Sequence, residues 1–299
     1  MSVGATTDAG VGGGKEGNAV RPPAGPALLV RRGYVCDWEA GDRPLPPPDR
    51  VLRWGRRALL PLSTVACVAT RQRVVALTYD DGPDPENTPG VLDALAAEGA
   101  TATFFVLADR AEEHPELLRR IAAEGHDVGL HGEDHTRLST LPAREALTRI
   151  RRGRRRLEAV LGRPVTLYRP AYGAQSLVQA AGTRAAGLEV VLWTAWARDW
   201  EASTAEDVAR RALGAVHPGA FLLLHDATGD LGTAGGPALR GSAGGRPAQR
   251  GAGGGGPALF DRGAVSRLLL GGLRDAGYAT ATVSSLLATY PGVRTIWSE

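Results

Sequence analysis

Four times along the chain a helical run closes on Ala and Gly and gives way to a run of β-forming residues. Leu95-Ala96-Ala97-Glu98-Gly99 precedes Ala102 to Leu107, and Ile121-Ala122-Ala123-Glu124-Gly125 precedes Val128 to Leu130. Arg184-Ala185-Ala186-Gly187 precedes Val190 to Thr194, and Arg274-Asp275-Ala276-Gly277 precedes Tyr278 to Val283. Each glycine reads as a helix C-terminal stop, where the chain turns left-handed without a Cβ penalty. With further strands near 74–79, 165–168 and 220–225, the pattern amounts to about seven β/α units. Such alternation predicts an α/β fold of parallel strands with covering helices, as a barrel or an open doubly wound sheet.

Two tracts break this pattern. Residues 1–50 are rich in Gly, Pro and Ala, lack apolar periodicity and run through Pro44-Leu45-Pro46-Pro47-Pro48, so they are expected to be disordered. That leaves 51–299 as one domain, interrupted at about 228–257 by a Gly-, Ala-, Pro- and Arg-rich insertion expected to be a peripheral loop. Ala58 to Thr70 contains Pro61, Ser63 and Thr64 and is too short to span a bilayer; it is expected to be a strand leading into the domain. The Gly-rich, sparsely charged start does not resemble a signal peptide, which points to a cytoplasmic protein, or to a secreted one if the start is mis-assigned.

Charge adds little. The 299 residues carry 35 Lys and Arg against 32 Asp and Glu. The densest basic stretch is Arg151 to Arg156, but Leu147, Ile150, Leu157 and Leu161 fit one face of a helix and leave those arginines on the outer face. No aromatic residues interleave with them, so a nucleic-acid surface is unsupported. Two cysteines, Cys36 and Cys67, do not make a disulfide framework.

The ionisable residues follow the strands. Val74 to Tyr79 delivers Asp80 and Asp81 into a Gly82-Pro83 turn, and His131 follows Val128-Gly129-Leu130. Arg169 follows Val165 to Tyr168, Asp199 lies a few residues after Val190 to Thr194, and His225 closes Phe221 to Leu224. In parallel β/α folds the carboxyl ends of the strands open onto one face, so these residues should converge. Two adjacent buried carboxylates call for a cation, since an unpaired charge away from water costs several kcal/mol, about 3 or more. His131 and His135 are spaced to share one side of a helical turn, and with one carboxylate they make three ligands with an open position, the catalytic zinc arrangement. A non-haem iron triad fits the same donors. The zinc-protease signature is ruled out, because Gly132 stands where it needs Glu.

These residues resemble the polysaccharide deacetylases, carbohydrate esterase family 4, which include the nodulation-factor deacetylase domain. Thr78-Tyr79-Asp80-Asp81-Gly82-Pro83 is similar to the first family motif, and His131 with His135 to the second. Arg169-Pro170-Ala171-Tyr172-Gly173 looks like the third, Asp199-Trp200 like the end of the fourth, and Leu223-Leu224-His225 like the fifth. The resemblance implies a distorted, TIM-barrel-like (β/α)7 barrel that hydrolyses acetyl groups from sugars with zinc or a similar divalent ion. It implies Asp81, His131 and His135 as metal ligands, Asp80 as general base and His225 as general acid supported by Asp199. It further implies that Arg169 tunes Asp80, that the Tyr172 backbone N–H faces the oxyanion, and that Trp200, Leu223 and, by position, Trp196 line the acetyl pocket. Gly132, Ala171 and Trp196 depart from the family pattern, where Ser or Thr, Pro and Asp are usual. The expected partner is an acetylated sugar or related small molecule. A C–N hydrolase on a non-sugar amide and a non-catalytic carbohydrate-binding relative are the alternatives.

Overall fold

Strand Val74–Asp80 is apolar on both faces, and from Val75 onward every residue is buried, as a central parallel strand requires. The computed structural model describes residues 27–29, 62–202, 204–227 and 260–295. Within them the strands are β1 (Ala27–Leu29), β2 (Thr64–Val68), β3 (Val74–Asp80), β4 (Ala102–Leu107), β5 (Asp127–Gly132), β6 (Leu167–Tyr168), β7 (Glu189–Val190), β8 (Ala195–Trp196), β9 (Phe221–His225), β10 (Ala279–Thr280) and β11 (Gly292–Thr295). The helices are α1 (Thr88–Ala97), α2 (Ala108–Glu113), α3 (Pro115–Ala123), α4 (Ala143–Leu161), α5 (Leu177–Ala185), α6 (Ala205–Ala215), α7 (Arg262–Asp275) and α8 (Val283–Thr289).

Seven strands pair in parallel in the order β7-β6-β5-β4-β3-β9-β8, a curled sheet covered by helices. This is the distorted (β/α)7, TIM-barrel-like architecture expected from the sequence. One strand differs in identity. The run Val190 to Thr194 splits, so that β7 ends at Val190 and Ala195–Trp196 supplies the seventh strand as β8. Tyr278 to Val283 contributes only β10, a two-residue parallel pairing at the start of β3 outside the main path, because Thr282 caps α8 and ends the extended run.

The stretch expected to lead into the domain forms β2, which pairs antiparallel with β11 in a second sheet. It braces the large sheet at two places: Leu192 N donates to Val65 O at 2.8 Å, and Val68 N donates to Gly219 O at 3.0 Å. Gly219 permits this approach, since its φ is +78° and a Cβ there would stand 2.2 Å from Val68 O. Of the N-terminal segment, residues 27–29 form β1 beside β11; the rest of 1–50 and the 228–257 insertion lie outside the described residues.

The core lies between the sheet and its helices, with Leu77, Phe104, Leu118, Ile121 and Leu130 fully buried. On α4, Ile150 and Leu157 are buried, with Leu147 and Leu161 packed against the same cluster, as the helical spacing predicts. The arginines of α4 are only partly a solvated face. Arg151, Arg152 and Arg155 are exposed, but Arg152 reaches Glu133 with its fork and the half-buried Arg156 turns back onto Asp109 and Glu112. Among the described residues, no helix is long and apolar enough to cross a membrane.

Candidate active site

Strand register brings the first two chemical groups together. Asp80, the last residue of β3, pairs directly with His225, the last residue of β9. Leu130 on β5 pairs with Tyr168 on β6, so His131 and Arg169 are neighbours one residue further on. The contact is direct: His131 Nδ1 lies 2.9 Å from Arg169 O. A carbonyl only accepts, so Nδ1 carries a proton and Nε2 points the other way.

Nε2 meets carboxylates. Asp81 Oδ1 lies 3.3 Å from Nε2 of His131 and 3.3 Å from Nε2 of His135, and Asp80 Oδ2 is 3.8 Å from His131 Nε2. Asp81 Oδ1 is buried and takes no hydrogen bond. One ligand atom from each of Asp81, His131 and His135 falls within 4.8 Å of the others. A buried carboxylate oxygen facing two imidazole nitrogens calls for positive charge between them, carried by ring protons or by a metal, and a carboxylate with two imidazoles is the donor chemistry of a zinc-type ion. The residues therefore fit a divalent metal. Burial raises the Asp81 carboxyl, but the imidazoles of His131, His225 and His135 more than reverse this and hold it well below the usual carboxylate range.

The two histidines do not share a helical turn. His131 belongs to β5, and His135 lies in the following loop with φ +61°, after Gly132 at φ +124°. The left-handed steps, not helical periodicity, bring the second ring round to the first, with centroids 5.3 Å apart.

Asp80 is held on its other side. Arg169 is fully buried and donates through NH1 to Asp80 Oδ1 at 2.7 Å and to Thr78 Oγ1 at 2.8 Å. Its Nε and NH2 reach Val191 O at 3.3 Å and Leu192 O at 3.0 Å, and its face stacks on Phe105 at 4.1 Å. A guanidinium with this many fixed partners holds one carboxylate oxygen in place and leaves the other directed at the metal cluster.

His225 is the second titrating centre. Its Nδ1 is 2.8 Å from Asp199 Oδ1, and its backbone N–H donates to Asp199 Oδ2 at 3.0 Å. Burial pulls the imidazole pKa down, but Asp199 above all, then Asp81 and Asp80, raise it to about 9, so the ring is protonated at neutral pH. Beside it stands an aromatic wall: Trp200 meets the His225 ring edge-on at 5.7 Å, Trp196 meets Trp200 at 6.1 Å, and Trp193 lies 6.5 Å from Trp196. Trp196 and Trp200 are 39% and 53% exposed, so this wall is an open surface and not core. Leu223 is buried, in register with Trp196 and Thr78. Opposite, Tyr172 packs its ring on His135 at 4.6 Å and adopts φ +62°, a left-handed turn that a non-glycine residue holds only at a cost of about 1–3 kcal/mol.

The structure thus brings together Asp80, Asp81, His131, His135, Arg169, Asp199 and His225. Two further residues belong with them. Arg262, at the start of α7, donates through NH1 to Asp199 Oδ2 at 3.0 Å and to His225 O at 2.7 Å. Asp226 accepts from Gly82 N at 3.1 Å and Thr88 Oγ1 at 2.5 Å, and so anchors the turn that carries Asp81. A single arginine beyond a long low-complexity tract has no pattern to mark it. Asp226 carried one signal, its place beside His225 at a strand end.

Comparison with known proteins agrees with this geometry. A family profile described as polysaccharide deacetylase matches residues 68–191, a span that includes Asp80, Asp81, His131, His135, Arg169 and Tyr172. A chitooligosaccharide deacetylase of Azorhizobium caulinodans is 35% identical over 166 residues, which is 55% of this chain and 79% of that protein. The peptidoglycan-N-acetylglucosamine deacetylase PgdA of Listeria monocytogenes is 35% identical over 158 residues, 53% of this chain but only 33% of that longer protein. Among solved structures, the peptidoglycan deacetylase PdaC from Bacillus subtilis superposes with a TM-score of 0.58 at 29% identity, covering 74% of this chain and 93% of that one.

Proposed function

Because this chain belongs to the polysaccharide deacetylase family, carbohydrate esterase family 4, we propose that it removes the acetyl group of an N-acetylated sugar with the help of a divalent ion. The observation that carries this reading is the buried Asp81 oxygen facing two imidazole nitrogens beside a second carboxylate, Asp80. Asp81, His131 and His135 would hold the ion, zinc by donor type. Bound there, such an ion supplies Lewis-acid chemistry, acidifying water and polarising a carbonyl oxygen.

The chain's own residues do the rest. Asp80, fixed by Arg169, takes the proton of the attacking water through the oxygen that faces the cluster. The backbone N–H of Tyr172 donates to the carbonyl oxygen as it gains negative charge. His225 holds one proton on Nδ1 against Asp199 and gives the other, from Nε2, to the nitrogen as the C–N bond breaks. Acetic acid and the free amine leave, the acid ionising to acetate in water, and the proton taken by Asp80 returns through solvent to His225, which restores both groups. Trp200, Trp196 and Leu223 flank the acetyl group, and the exposed rings offer a stacking face for a sugar.

The test is release of acetate and amine by zinc-loaded protein over acetylated chitooligosaccharides, peptidoglycan fragments, glycosylated small molecules and non-sugar amides. The expected result is release from the acetamido sugars that stops on chelation and returns with zinc. Release that persists unchanged in metal-free protein overturns the reading, and release from non-sugar amides alone moves the substrate to that class.

A further inference from the structure

Glu133 is a buried acid that the reaction leaves unused. It stands midway between His131 and His135 on the loop that follows β5, and its carboxylate is gripped by one helix. Arg152 of α4 donates to it through Nε at 2.5 Å and NH2 at 2.6 Å. Arg149 Nε adds a bond at 3.3 Å, and Arg156 NH1 lies 3.7 Å away. The neighbouring residue is caught too, since Arg149 NH2 donates to Asp134 Oδ2 at 2.6 Å. The loop backbone is pinned from a second helix, where Asp109 N donates to Glu133 O at 3.1 Å.

Helix α4 comes this close because residue 153 is glycine: a Cβ there would stand 3.2 Å from Glu133 Cγ and 3.3 Å from Leu130 Cδ1. The two histidines differ in what fixes them. His131 is a strand residue with a carbonyl on Nδ1, whereas His135 depends on a loop that takes two left-handed steps, at Gly132 and at His135 itself. A loop with such backbone angles keeps them only when its surroundings enforce them.

We propose that Glu133 and the arginines of α4 form a clamp that presets His135 as an ion ligand, making Glu133 a positioning residue of the metal site. This rests on the metal reading above. It also gives Arg152 a reason to be arginine, since its planar fork grips both carboxylate oxygens in a way that lysine does not reproduce.

The test is the zinc dissociation constant, measured by competition with a chelator, together with the melting temperature of the metal-free protein. Glu133→Gln should weaken zinc binding about 10–100-fold, the usual effect of losing a group that orients a ligand. Glu133→Asp, which keeps the charge on a shorter arm, should recover part of it, and Arg151→Gln, on the exposed side of the same helix, should change nothing. If Glu133→Gln does not fold, the pair Arg149→Gln with Arg152→Gln opens the clamp from the solvent side and carries the same expectation. An unchanged dissociation constant, with or without a lower metal-free melting temperature, overturns the clamp. A wild-type chain that binds no zinc overturns the proposed function and the clamp with it.

Discussion

Adjacent residues Asp80 and Asp81 have opposite surroundings, and that difference divides their work. Asp80 rests on a guanidinium, while Asp81 faces two imidazoles. Asp80→Asn should therefore retain zinc yet lose about 10²–10⁴-fold in kcat, the usual worth of a general base, as checked by metal analysis beside acetate release. For His225 the sign of the pH effect follows from a raised pKa: the acid is present at low pH and is lost as pH rises towards about 9. A bound dication offsets the Asp81 contribution but not that of Asp199, so the alkaline limb of the loaded enzyme should fall at or below that value. Asp199→Asn should move the limb down by roughly 1–3 units, read from the pH profile of kcat/KM. The convergence of these residues was legible in the sequence because each directly ends or closely follows a strand, whereas the roles rest on the family motifs. Arg262 was not, for its meaning comes only from where α7 begins in space, a contact with Asp199 across 63 positions.

At the level of elements, the sequence pattern located helices better than strand ends. The Ala-Gly stops at Gly99, Gly125, Gly187 and Gly277 all carry positive φ, so the local chemistry was sufficient there. The split after Val190 was hidden because Val191 to Thr194 is as β-prone as a strand; what diverts it is tertiary, namely β2 and Arg169 taking its backbone groups. The two histidines do meet, but the helical turn expected between them failed for a related reason, since four-residue spacing is shared by a helix and by a tight left-handed loop. Helices α1 and α7 meet at Gly90 and Gly263, where a Cβ on Gly263 would stand 2.7 Å from Gly90 O. Gly263→Ala should force them apart at a cost of about 1–3 kcal/mol. Because Arg262 is the next residue, kcat should fall as well; thermal melting and steady-state kinetics check both, and a variant as stable as wild type would show that the glycine contact does not set the helix spacing.

For the whole molecule, a metal bound at the candidate site would be linked thermodynamically to the fold, since the three candidate ligands come from the residue after β3, the end of β5 and the loop beyond it. Zinc at about 100 times its dissociation constant should stabilise the folded chain by about 2.7 kcal/mol, which is roughly 5–11 °C for a domain of this size. Differential scanning calorimetry should show that shift, its reversal by chelator, and its absence in Asp81→Ala. Opposite the metal turn, Asp80 and His225 are paired residues on neighbouring hydrogen-bonded strands. The separation of their backbones is thus set by the spacing of a parallel sheet, about 4.8 Å. In the proposed reaction, base and acid would therefore stand on one rigid frame. Substrate preference can then change at the exposed rings of Trp196 and Trp200, where a new sugar can be fitted while the paired strand ends stay as they are.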